Sequence, residues 1–247
     1  MHDQIKQRIQ ELASKFKNDT IEVRRHLHRH PELSFQEHET SRFIQEKCEE
    51  YGLNFTAGWA GTGVVVEIEG QRREPMVALR ADIDALPIRE KNKVSYCSTN
   101  EGIMHACGHD VHTATALLAA RILNELRDEL PGSVRVLFQP GEEKLPGGAS
   151  ILIKEGVLKD PEPIAIFGNH VHPPLHSGKI GLRAGRYMAS ADELYLTIRG
   201  QGGHAALPHD TVDPITAAAQ VISSLQQLVS RKADPLVPTV LTWGKIN

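Results

Sequence analysis

Apolar residues recur at helical spacing at the start of the chain. Ile5, Ile9, Leu12, Ala13 and Phe16 share one side of residues 3–17, which predicts a helix. A second helical stretch runs from Thr20 to His30 and stops at Pro31, and a third, Glu39 to Tyr51, stops at Gly52. The pattern then shortens to strands. Gly63–Glu69 (GVVVEIE) and Met76–Asp84 (MVALRADID) flank a turn at Gln71–Pro75. His112–Leu130, rich in Ala and Leu and closed by Pro131-Gly132, predicts a long helix, and Ser133–Gln139 (SVRVLFQ) a buried strand. Gly148–Val157 reads as a helix and Ile164–Phe167 as a short apolar strand.

Helices alternating with apolar strands predict an α/β layer fold around a mostly parallel sheet. In such sheets ligands gather at the carboxyl ends of the strands. Asp82 and Asp84 come after MVALR of one predicted strand, Glu142 and Glu143 after the next strand, and His170 after the last, while Cys107–His112 sits just before a helix. Four polar groupings are therefore expected on one rim. Around Arg183–Met188 the character changes. Glu193–Arg199 (ELYLTIR) alternates like a half-exposed strand, Asp213–Arg231 is an amphipathic helix with Pro214 in its first turn, and Pro238–Ile246 begins another strand. This predicts a first domain over residues 1–185 and the start of a smaller α+β domain over 186–247.

Composition narrows the class. Of 247 residues 40% are hydrophobic, ample for a core, and the formal charge is −3. Nothing resembles the basic patch of a nucleic-acid binder. The charged, amphipathic N-terminus has no apolar run suited to a signal peptide or membrane span. Three unpatterned cysteines (Cys48, Cys97, Cys107) suit a reducing compartment, so a cytoplasmic protein is expected. The 13 histidines cluster at His26/His28/His30, His105/His109/His112, His170/His172/His176 and His204/His209. Histidine is the commonest metal ligand.

Cys107, His109, Glu142, Glu143 and His170 combine thiolate, imidazole and carboxylate, a donor mix for a borderline divalent ion such as Zn, Mn, Co or Ni. Taken singly, each has a plainer reading: a small buried hydrophobe, a solvated acidic turn, an isolated imidazole. Their joint place on one rim favours metal. His26, His28 and His30 with Pro31-Glu32 read as an N-terminal packing motif. His105 and His112 remain open between support for the ligands and surface, and His209 between helping His204 and capping a loop. Gly202-Gly203 lacks the Lys-Ser/Thr of a phosphate loop.

The strings RRHLHRHPELSFQE (24–37), LRADIDALPI (79–88), MHACGHDVHTA (104–114), LFQPGEE (137–143), GNHVHP (168–173) and GQGGHAALPHDTVDPI (200–215) resemble the aminoacylase/carboxypeptidase family of co-catalytic metallopeptidases. The likeness is to the branch of hippurate hydrolase, N-acetyl-diaminopimelate deacetylase and the indoleacetyl-amino acid hydrolases. The resemblance implies a zinc-exopeptidase-like catalytic domain and an inserted ferredoxin-like lid and dimerisation domain, both incomplete over this length. It implies two divalent ions held by Cys107, His109, Glu143 and His170, with Glu142 as general base and His204, from the lid, polarising the substrate carbonyl. More distant relatives have a His-x-Asp ligand motif where this chain has Asp82-Ile-Asp84, so Asp82 and Asp84 are expected to support ligands rather than bind metal.

The implied reaction is hydrolysis of the amide bond of N-acyl amino acids or dipeptide-like molecules by metal-activated water. The implied assembly is a homodimer when the chain is full length. Family members continue beyond this point and supply one further His ligand, so a chain ending at Asn247 is expected to turn over little or no substrate. The competing reading is an inert relative that serves as a binding or dimerisation module.

Overall fold

The computed structural model describes residues 2–185, 190 and 192–247. Two compact units divide the chain, Met1–Ile180 and Gly181–Asn247. The domain start expected at residue 186 falls outside the described residues.

In the first unit the two helices expected over 3–17 and 20–30 are one, α1 (His2–Arg29). Asn18 and Asp19 between them do not break it, because each costs under about 1 kcal/mol in a helix interior. The Thr20 hydroxyl also donates back to the Phe16 carbonyl at 3.0 Å. After α2 (His38–Glu50) comes an unexpected strand, β1 (Asn54–Trp59), with mostly exposed positions. It pairs antiparallel with β2 (Gly63–Ile68) at the sheet edge. With one side of the strand solvated and polar, NFTAGW offers no apolar run to detect. There follow β3 (Met76–Asp82), α3 (His109–Glu125), β4 (Ser133–Gln139), α4 (Gly148–Lys154) and β5 (Ala165–Gly168).

The sheet order is β1-β2-β4-β3-β5. β3 runs parallel to both β4 and β5, whereas β2 is antiparallel to β4 and to β1. β2 alone therefore opposes the other four strands. The period-2 pattern divides the residues between faces. Val64, Val66 and Ile68 of β2 and Val134, Val136 and Phe138 of β4 pack under α1, α2 and α3, against Val23, Leu27, Ile44, Leu117 and Ala120. Val65 and Leu137 face the other way, onto Leu152 of α4 and Val157. Helices thus cover both faces, as parallel strands require.

The register places the ends of three parallel strands together, Asp82 opposite Gln139 and Arg80 opposite Gly168. α3 begins at His109, three residues before the expected His112, so His109 lies in its first turn rather than in a loop. That turn reads HDVH, polar in sequence yet buried, so hydrophobic periodicity could not reveal it. Gly108 caps it at φ 93°. A Cβ there would stand 2.3 Å from the Val171 side chain, so both the conformation and the close approach call for glycine.

The second unit contains a 3-10 turn (Pro208–Asp210), α5 (Pro214–Gln227) and a π-helical turn (Leu228–Lys232). The Asp213 carboxylate caps α5 by accepting the N–H groups of Ile215 and Thr216. The strands expected over 193–199 and 238–246 carry no ladder among the described residues. A single bridge joins Gln201 and Val212. Alternation marks an amphipathic ribbon, but a strand is stabilised by a partner, and Leu194, Tyr195 and Leu196 are exposed. Among the described residues no helix is long and apolar enough to cross a membrane.

Candidate metal centre

Four segments meet at the carboxyl ends of the parallel strands: Ile83-Asp84 after β3, Gly141–Glu143 after β4, Asn169–Val171 after β5, and Cys107–His109 at the start of α3. The donor atoms of Cys107, His109 and His170 lie within 4.8 Å of one another, as do those of His109, Glu142 and Glu143. Cys107 Sγ is 3.3 Å from His170 Nε2. His109 Nε2 is 3.8 Å from Glu143 Oε1 and 4.0 Å from Glu142 Oε2. His109 is therefore common to both groups.

Two of these atoms are buried with no hydrogen-bond partner among the described residues, His109 Nε2 and Glu143 Oε1. A buried polar atom left unpaired costs about 1–3 kcal/mol, so two facing each other mark a place made for something else. The Nδ1 protons agree. His109 Nδ1–H donates to the Asp84 carbonyl (2.9 Å) and lies 3.2 Å from Asp84 Oδ1, and His170 Nδ1–H donates to the Val171 carbonyl (2.8 Å). With Nδ1 protonated, both Nε2 lone pairs point into the cluster, the arrangement of metal-binding imidazoles.

A third grouping, Asp82, His109 and His112, also lies within 4.8 Å, but the atoms of Asp82 and His112 are already engaged. His112 Nδ1–H donates to Asp82 Oδ1 (2.6 Å), and its Nε2 accepts the Val171 N–H (2.9 Å). The other Asp82 oxygen accepts from Arg80 at 2.6 Å. The pair Asp82–His112 thus braces the segment that carries His170. Asp84 is the second hub. Its Oδ2 accepts the Ser34 hydroxyl (2.6 Å) and the Glu143 N–H (2.9 Å), so one carboxylate aligns His109 and Glu143 together.

The electrostatics describe a site short of positive charge. Burial, then the carboxylates of Glu143, Glu142 and Asp82, push the Cys107 thiol up to about 12. Burial and the neighbouring Glu142 also raise Glu143. Burial opposes the charged form of His109, but Asp84, Asp82 and Glu143 outweigh it and raise its pKa. Burial would lift Asp82 too, yet His112, His109 and Arg80 hold it at about 2. Asp84 stays below its ordinary range because the bonds from His109, Ser34 and Glu143 outweigh its burial. A thiol held so high is a poor free nucleophile at neutral pH. A divalent cation among these donors reverses that logic, and the donor chemistry fits one.

His105 and His112 are both buried, which removes the surface reading for each. His28 packs as expected, with Nδ1 2.8 Å from Asp110 and Nε2 3.1 Å from Glu90. In the second unit His204 is exposed, and its Nδ1 accepts the Ala206 N–H at 3.1 Å. His209, exposed in the 3-10 turn, lies 3.7 Å from Asp210. Sequence reasoning passes over Ser34 and Glu37. They lie in the string ELSFQE, whose polar positions resemble any surface turn, and their partners are far along the chain.

Comparison with known proteins shows the family. The model of peptidase family M20/M25/M40 matches residues 78–242. An N-acyl-L-amino acid amidohydrolase of Geobacillus stearothermophilus is 46% identical over 237 residues, covering 96% of this chain and 64% of that protein. The IAA-amino acid hydrolase ILR1-like 2 of Arabidopsis thaliana is 46% identical over 92% of this chain and 51% of its own length. This chain therefore spans between half and two thirds of these curated relatives. The crystal structure of the Bacillus subtilis YXEP protein, described as a dinuclear metal binding peptidase, is 41% identical with a TM-score of 0.68, over 87% of this chain and 57% of that one.

Proposed function

The chain belongs to peptidase family M20/M25/M40, and from that premise we propose that it hydrolyses the amide bond of N-acyl amino acids, using two divalent ions held by Cys107, His109, Glu143 and His170. The observation that carries this reading is the pair of buried, unpartnered atoms, His109 Nε2 and Glu143 Oε1, facing each other beside Cys107 and His170. The amide-hydrolase names of the similar proteins support the substrate class.

Bound divalent ions supply Lewis acidity and bring the pKa of coordinated water toward neutrality. The residues divide the remaining work. Glu142, more exposed than Glu143 and with no hydrogen-bond partner among the described residues, is free to take a proton from water on its carboxylate and pass it to the leaving amine. Glu143, aligned through its N–H by Asp84, holds metal. Asp84 keeps the His109 proton on Nδ1, and Asp82 does the same for His112. His204, from the second unit, offsets charge developing on the amide oxygen. We place the protein in the cytoplasm, in keeping with its three free thiols, and expect it to work as a homodimer.

The test is hydrolysis of hippurate and N-acetyl amino acids by the intact protein, before and after chelation and re-addition of Zn, Mn, Co or Ni. Turnover that disappears with the metal and returns with it supports the proposal. Turnover indifferent to a chelator that has removed all metal overturns it.

A further inference from the structure

Glu37 is wholly buried, yet no cation lies against it among the described residues. It occupies the N-cap position of α2, but its side chain does not cap that helix. The Glu32 carboxylate does so instead, accepting the N–H groups of Glu39 (3.1 Å) and Thr40 (2.8 Å). Glu37 turns inward. Its Oε1 accepts the Gly141 N–H at 2.8 Å and its Oε2 the Thr62 hydroxyl at 2.7 Å. A buried carboxylate without a counter-ion is costly. This one grips the backbone immediately before Glu142 and Glu143, across 104 residues of chain.

Two neighbours act at the same place. Phe35 adopts φ 64°, a conformation costly for a bulky residue, and its ring lies against Gly141. A Cβ on Gly141 would come within 2.4 Å of that ring, and Gly141 itself has φ 59°. Ser34 donates to the Asp84 oxygen that also accepts the Glu143 N–H. The Leu33–Ala85 bridge and the Ala85 N–H to Glu32 carbonyl bond (2.8 Å) tie the segment to the end of β3. One short stretch, residues 32–37, thus touches the acidic loop at Gly141 and, through Asp84, at Glu143.

We propose that Glu37 is a positioning residue: its buried carboxylate holds the Gly141 N–H and thereby sets where Glu142 and Glu143 stand relative to His109. The proposal rests on the roles given above to Glu142 and Glu143. Small misplacements of reacting groups cost catalysis heavily, which gives a reason to keep an otherwise unfavourable buried charge.

The test compares Glu37→Gln, Glu37→Ala and Glu37→Asp in the intact protein. Gln keeps an acceptor for Gly141 through Oε1, while its amide N–H₂ can donate to the Thr62 oxygen, so kcat and metal content are expected to stay within about threefold of wild type. Ala removes the grip, and kcat is expected to fall by about 100-fold with KM within about threefold. Metal retained against a graded chelator is expected to fall in parallel, a readout independent of turnover. Asp keeps the charge but withdraws it by one methylene. It is expected to fall between the other two, and it decides the matter if the Ala variant does not fold. A folded Glu37→Ala or Glu37→Asp protein with wild-type kcat and metal retention overturns the proposal, as does a loss of activity no greater than the unfolded fraction. A wild-type protein lacking both metal and turnover would instead overturn the reading of the site, and this proposal with it.

Discussion

Asp84→Asn is the most informative single change, because one carboxylate serves three donors. Oδ2 accepts from Ser34 (2.6 Å) and from the Glu143 N–H (2.9 Å), and Oδ1 faces His109 Nδ1 at 3.2 Å. An Asn amide has one acceptor oxygen, and its N–H₂ must face either Nδ1–H or the Glu143 N–H. Either choice leaves a buried donor facing a donor, at a cost of roughly 1–3 kcal/mol. For a chain of this size that lowers Tm by roughly 2–4 °C per kcal/mol. The Asp84 carbonyl, 2.9 Å from His109 Nδ1, still accepts its proton, so the loss falls on the alignment of the ring and of Glu143 rather than on the tautomer. Loss of such a supporting partner typically weakens metal affinity or activity by about 10–100-fold, or roughly 1.4–2.8 kcal/mol. Competition with a fluorescent chelator measures the affinity, and thermal unfolding with and without metal separates it from stability. An Asp84→Asn protein with wild-type metal affinity would refute the argument that the Asp84 carboxylate aligns His109 and Glu143.

Glu142→Gln should lower kcat by several orders of magnitude while metal content stays at the wild-type level, whereas Glu143→Gln should lose metal and regain some activity in excess metal; elemental analysis beside steady-state kinetics shows whether base and ligand have been exchanged. His204→Ala should lower kcat with metal content unchanged, and hydrolysis by mixed His204→Ala and Glu142→Gln subunits tests whether His204 serves a neighbouring subunit. His28 is raised above its ordinary 6.5 by its bond to Asp110, despite burial, and Asp110, although burial opposes it, is held below its ordinary 3.8 by that bond and by His105 and Arg24. The His28 contribution is full below about 6.5 and lost as pH rises through its folded value, and the Asp110 contribution is full above about 3.8 and lost as pH falls through its folded value. Urea midpoints of the metal-free protein should therefore show a gain between about pH 4 and 6.5 that His28→Gln removes, and parallel profiles for the two proteins would count against the pair. Ile44→Ala, which empties a wholly buried position, should cost about 2–5 kcal/mol in denaturant unfolding.

Much of the site is legible in the sequence because its donors sit in short strings at the ends of apolar strands. Asp84 and Glu142 each follow a strand whose burial shows in its composition, and His170 follows the apolar though largely exposed β5, so the order of residues alone points to the rim. Asp84 and Asp82 are expected as supports, and the structure sets Asp84 against His109 and Asp82 against His112. What stays hidden depends on long separations. Ser34 reaches Asp84 across 50 residues and Glu37 reaches Gly141 across 104, and neither bond leaves a local signal. The start of α3 is concealed because its first turn is polar but buried against the strand ends. In the second unit, alternation at Glu193–Arg199 specifies faces but supplies no partner. β1 is concealed for the opposite reason, pairing with β2 although its own residues are mostly exposed.

The account stands on a metal centre built from Cys107, His109, Glu143 and His170. Elemental analysis of the intact, metal-saturated protein after exhaustive gel filtration tests it most directly, with Cys107→Ser and His109→Ala measured beside it. The account predicts two ions per chain in the wild type, a clear loss in Cys107→Ser and a greater one in His109→Ala, since His109 belongs to both donor groups. Undiminished metal in both variants, with their folds intact, would contradict it.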